Sequence, residues 1–320
     1  MAHLTSITQP QQRLSVRHIL ANHPLTGYFV LAYALMWMFA LPLTLSRNQG
    51  IGLLPYDLPD GAGNALFLLT TFSGPTVAAL VVTGLTEGRG AVKQLLARCL
   101  QWRVGIGWYL VALGASLLIW LLSYTAIVGP RLLSAAVTHA ALLLTTFLPF
   151  VALGMLIPAI AEEPGWRGFA LPRLQRRHGP LVASLILGTL HGLWHLPALF
   201  TVNFGPLPLA NLLPFVLTAA VATVSYTWVY NHTGGSILIA MLFHASGNAA
   251  TGWLTALLKD SGLPVPHQGL AGVLAATGWI NVIAYGVAAL LLIVLTRGRL
   301  GYVPDGMAQS TTARTTTQAA

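Results

Sequence analysis

Three short polar clusters interrupt an otherwise apolar sequence, and their residue types suit the attack of water on a carbonyl carbon. The first is Ala161-Glu162-Glu163-Pro164-Gly165-Trp166-Arg167, which holds two of the chain's three glutamates. The second places His191 and His195 in Leu190-His191-Gly192-Leu193-Trp194-His195-Leu196-Pro197. The third places His244 and Asn248 in Phe243-His244-Ala245-Ser246-Gly247-Asn248. A glutamate beside an imidazole accepts the proton of an attacking water. Histidine and asparagine donors hold the oxyanion that then develops. Neither serine nor cysteine is needed as nucleophile. Each cluster alone has a plainer reading. Arg167, four or five residues past the glutamates, forms an ion pair if the helix continues, and a histidine or asparagine within a span serves as an interhelix hydrogen bonder. Taken together they are more informative, because polar side chains in a membrane bundle face its interior.

The elements that must position these residues are membrane spans. The chain has 320 residues, 55% hydrophobic and only 7% charged. A soluble domain carries roughly 25% charged residues, so most of this surface must face lipid. A span needs about 20 apolar residues to cross about 30 Å of hydrocarbon. Eight runs qualify, over residues 27–45, 65–85, 108–128, 135–160, 181–200, 212–230, 236–257 and 273–296. Lys and Arg number 13 on one alternating set of linkers and tails and 3 on the other. Cytoplasmic loops carry the positive excess, so the expected fold is all-α: a polytopic transmembrane helical bundle of about eight spans, N-in and C-in. Residues 1–26 read as a cytoplasmic segment without the features of a cleaved signal peptide. Residues 27–300 form the bundle, and 301–320, rich in Thr and Ala, read as a disordered cytoplasmic tail.

The net charge of +9 is spread between apolar runs rather than gathered into one basic patch beside aromatics. It therefore sets topology and meets anionic headgroups, and does not indicate nucleic acid as a partner. The single cysteine, Cys99, cannot form an internal disulfide. No internal repeat is visible, which gives no support to the inverted-repeat design of many secondary transporters.

The clusters resemble the motifs of the CPBP family of intramembrane proteases (CAAX protease and bacteriocin processing, also called Abi). Glu162, Glu163 and Arg167 fit its Glu-Glu-x-x-x-Arg motif. His195 fits the histidine of Phe-x-x-x-His, with His191 standing where the family has the aromatic. His244 and Asn248 fit His-x-x-x-Asn. The resemblance covers about residues 140–250 and implies an intramembrane endopeptidase acting on membrane-associated or leader-type peptides. It implies Glu162 as general base assisted by His195, His244 and Asn248 as the oxyanion hole, and Glu163 and Arg167 as braces. The family has been described both as metal-free and as metallo-endopeptidase. Zinc on Glu162, His195 and His244 is the metal form, since three protein ligands plus water is the usual catalytic pattern. Adjacent glutamates on one helix point about 100° apart and chelate poorly together, which favours the metal-free form with no cofactor. The expected partners are membrane lipids and a peptide or protein substrate, and the expected location is a bacterial plasma membrane, multi-pass. A bacteriocin-immunity or scaffold protein with the same fold is the alternative, and a proton-coupled transporter a more distant one.

Overall fold

The computed structural model describes residues 16–204, 209–265 and 269–304, with the side chains of residue 60 and of 269–277 set aside. Most of the expected tail, from 305 onward, and residues 1–15 of the N-terminal segment lie outside the described residues. The described chain is helical, without strands. In lipid every backbone polar group must be satisfied within the chain, so runs of this composition have to be helices.

A short surface helix, α1 (Val16–Asn22), leads into α2 (Pro24–Leu45). Next come α3 (Asp60–Phe72) and α4 (Pro75–Thr86), an end-to-end pair bent by 52°. Then follow α5 (Arg89–Arg98), α6 (Ile106–Val128) and α7 (Arg131–Thr138). The long element α8 (Leu143–Trp194) is followed by α9 (Leu212–His232), α10 (Ile237–Asp260) and α11 (Gly269–Thr296).

By length and composition six helices among the described residues are able to cross a membrane, or seven if the bent α3–α4 pair is one span. All eight apolar runs lie on helices; the fourth and fifth fall on two arms of the long element α8, broken at Gly179. Its ladder continues past Glu162 and Glu163, where the sequence suggested an end. The fourth run also starts later than expected, at Leu143, because α7 closes at Thr138 and a turn intervenes.

Two kinds of residue shape α8. Pro158 and Pro164 bring no backbone N–H, and each lies in a stretch of wide π-helical turns, Met155–Ala159 and Pro164–Ala170. Gly179, at φ +72°, takes a conformation that costs glycine little. Pro180 after it suits the start of a helix, so α8 divides into two arms. The second arm packs along α9, and α10 packs against α6 and against Leu148–Gly154 of the first arm. At Gly188 a Cβ would stand 2.5 Å from the carbonyl oxygen of Ala219, so only glycine allows this approach of α8 to α9. Large aromatics fill the interior, Tyr28, Tyr124, Trp166, Phe169 and Phe243 among them. Leucines and valines such as Leu110, Leu122, Leu156, Leu290 and Val294 cover the outside, as a lipid-facing surface requires.

Candidate active site

Glu162 and Glu163 sit between the π-helical stretches Met155–Ala159 and Pro164–Ala170 of the first arm of α8. His191 and His195 lie at the far end of the second arm, with His195 as its cap. His244 and Asn248 lie one turn apart on α10. Glu162, His195, His244 and Asn248 all line one cavity of about 420 Å³, together with Arg167 and His191. The juxtaposition that the polar clusters suggested is thus present. A second recess of about 200 Å³ shares Glu162, His195 and Asn248 and is bordered by Trp194 and Phe67.

The two glutamates have different company. Glu162 Oε2 accepts a hydrogen bond from His191 Nε2 at 2.8 Å. Glu163, fully buried, receives two donors on its Oε1: Arg167 Nη1 at 2.9 Å and His244 Nδ1 at 2.7 Å. Arg167 is also buried, and its guanidinium lies 4.1 Å above the ring of Tyr226. Adjacent glutamates point in different directions around the helix, so one reaches the cavity and the other the interior of the bundle. Glu163 thus ties Arg167 to His244 behind the cavity. Tyr226, on α9, was not foreseen; it belongs to none of the three clusters and sits in an apolar run with no sequence signal.

Histidine tautomers follow from the partners. His195 Nδ1 lies 3.1 Å from the carbonyl oxygen of His191 and must carry the proton there, which leaves Nε2 bare in the neutral ring. His244 spends Nδ1–H on Glu163, so its Nε2 is the nitrogen left for the cavity. Asn248 is exposed to the cavity on the next turn. Trp194 anchors the histidine arm to α2 by donating Nε1–H to Ala32, while Trp37 donates to the carbonyl of Trp194. Trp166 is wholly buried against His191, with ring centroids 5.0 Å apart.

The metal-capable set differs from the expected one. Among the described residues, the three with donor atoms all within 4.8 Å of one another are Glu162, His191 and His195. His191 takes the place expected of His244, because the four-residue spacing stacks it on His195 while His244 turns its Nδ1 to Glu163. Two imidazoles and a carboxylate at this separation fit a zinc-type ion.

Residues 144–250 match the family model described as Type II CAAX prenyl endopeptidase Rce1-like. The chain is 34% identical over 105 residues to CAAX prenyl protease 2 of Methanococcus maripaludis. That alignment covers 31% of this chain and 38% of the relative's length. All seven residues of the polar constellation fall inside the matched segment. The motif resemblance to the CPBP intramembrane proteases is thereby borne out: the segment 144–250 that carries the site is similar to the Rce1-like CAAX prenyl endopeptidases, and the chain is similar over about a third of its length to a CAAX prenyl protease.

Proposed function

We propose that this multi-pass membrane protein is an intramembrane endopeptidase that hydrolyses peptide bonds of membrane-associated or leader-type peptides. The observation that carries the reading is the convergence of Glu162, His195, His244 and Asn248 on one cavity. Glu162 takes the proton of the attacking water, and His195, bare at Nε2, assists in holding that water. The Oε2 of Glu162 is engaged by His191, which leaves Oε1 to act as base. His244 and Asn248, one turn apart, hold the developing oxyanion. A doubly protonated His244 beside Glu163 has an N–H at Nε2 to offer it. Glu163 and Arg167 fix His244 and the turn that presents Glu162. Zinc, where bound, would be held by Glu162, His191 and His195 and would draw charge from the Glu162 carboxylate. Every proton transfer in this reading falls to the chain's own side chains, as a metal-free, glutamate-dependent form requires. The relative's name adds prenylated C-terminal peptides to the substrates worth trying. A plasma-membrane location with both termini inside fits the charge pattern of the linkers.

The test is cleavage in proteoliposomes by wild type, Glu162→Gln and His244→Ala. General-base loss should cost about 10²–10⁴-fold, and loss of an oxyanion donor about 10²–10³-fold. Persistence of cleavage in Glu162→Gln would refute the mechanism. A wild type that cleaves nothing across leader-type and prenylated peptides would favour the scaffold or immunity reading.

A further inference from the structure

One imidazole of the cavity is not called for by the CPBP motif. His191 stands where that motif has an aromatic, and its Nε2 lies 2.8 Å from Glu162 Oε2. Its own helix stacks it on His195, with ring centroids 5.0 Å apart. His195 donates Nδ1–H to the carbonyl of His191 and keeps Nε2 bare. A histidine that commits one nitrogen to a backbone carbonyl is held in the tautomer and orientation typical of a metal ligand. The donor atoms of Glu162, His191 and His195 all lie within 4.8 Å of one another. Glu162 is buried and the two histidines are half-buried, so an ion among them would compete little with bulk water.

We propose that Glu162, His191 and His195 form a binding site for a divalent transition ion of the zinc class, completed by His191. Two imidazoles and one carboxylate are a donor set that such an ion accepts, with water as fourth ligand. The cavity of about 420 Å³ has room for that water. On loading, His191 gives up its N–H contact with Glu162, the proton moves to Nδ1, and Nε2 binds the ion. The ion then takes the Oε2 of Glu162 and, by drawing charge from the shared carboxylate, weakens the base at Oε1. In this one respect the inference rests on the proposed hydrolytic role: loading and glutamate-driven hydrolysis oppose each other. A site with the aromatic at position 191 lacks the third ligand and escapes this competition.

The experiment uses the full chain in detergent, stripped with a chelator and dialysed against Zn²⁺. Zinc is counted by mass spectrometry, and its ligands are read by X-ray absorption. Wild type and Asn248→Ala should each hold about one zinc per chain, with a two-imidazole signature and no sulfur. His191→Phe should lose zinc affinity by at least about 100-fold, more than loss of an outer-shell partner costs. The absorption spectrum of wild type needs no variant, so a misfolded His191→Phe does not blunt the test. Absence of zinc from wild type, or unchanged binding in His191→Phe, overturns the site. Wild type that holds zinc through these ligands but cleaves no peptide refutes the protease reading alone. Wild type that cleaves but holds no zinc refutes the site alone. Cleavage that appears only on loading overturns the opposition between ion and base.

Discussion

The division of labour between two adjacent glutamates is the central fact at the residue scale. Glu163 and Arg167 form a buried pair that is tied to a third group, His244. Breaking a buried pair by removing one partner costs about 3–5 kcal/mol, because the remaining charge is left uncompensated. Glu163→Gln and Arg167→Ala should each lower the unfolding midpoint in detergent, and the double variant should lose less than the sum of the two. Strict additivity in that cycle would mean the pair does not act as a unit. Cys99 offers a pH prediction outside the spans. Burial pushes its thiol up to about 11, with Arg98 pulling weakly the other way. A raised thiol pKa means the protonated, unreactive form at neutral pH. Alkylation of the native protein, followed by mass, should stay slow at pH 8 and quicken only toward pH 11. Most of the site was legible at this scale, since residue types and spacings named all seven groups. What the sequence withheld was who faces whom. A spacing of four places His191 and His195 on one face, but says nothing of Glu162 opposite, and Tyr226 over Arg167 has no sequence mark.

The element that matters most is α8. Its wide turns around Pro158 and Pro164 set the angle at which Glu162 and Glu163 leave the helix. One extra residue in a turn rotates the rest of the helix by about 100°. Pro158→Ala restores a backbone donor and lets the ladder tighten. Cleavage should then fall while thermal stability holds or rises, and a variant with full activity would show that the wide turn does not aim the site. Gly188→Leu should separate α8 from α9, destabilising the bundle by about 1–3 kcal/mol through overpacking; a melting experiment in detergent measures it. Hydropathy revealed all eight runs, because a lipid-facing helix must be apolar along its length. It did not reveal that the fourth run continues as helix through Glu162 and Glu163, nor the 52° bend between α3 and α4. An average over a window is blind to a single bent peptide. The Gly179-Pro180 pair was the available signal for the break in α8, since it combines a left-handed conformation with a helix start.

For the whole molecule, the pattern of charge and lipid-facing side chains governs how the bundle sits. The uneven distribution of Lys and Arg predicts that reporters fused at either end remain on the cytoplasmic side; a reporter active on the opposite face would reverse that orientation. Within an apolar exterior and a largely aromatic interior, the cavity is where the polar side chains gather. That interior is also assembled in a fixed order. A single oxygen of Glu163 is grasped both by Arg167, four residues away, and by His244, eighty-one residues further along the chain. Until α10 has been synthesised and inserted, the first grasp exists without the second, and neither His244 nor Asn248 stands opposite Glu162. Under the proposed mechanism a nascent chain still emerging from the ribosome is therefore harmless to its neighbours, and hydrolytic competence arrives only with α10.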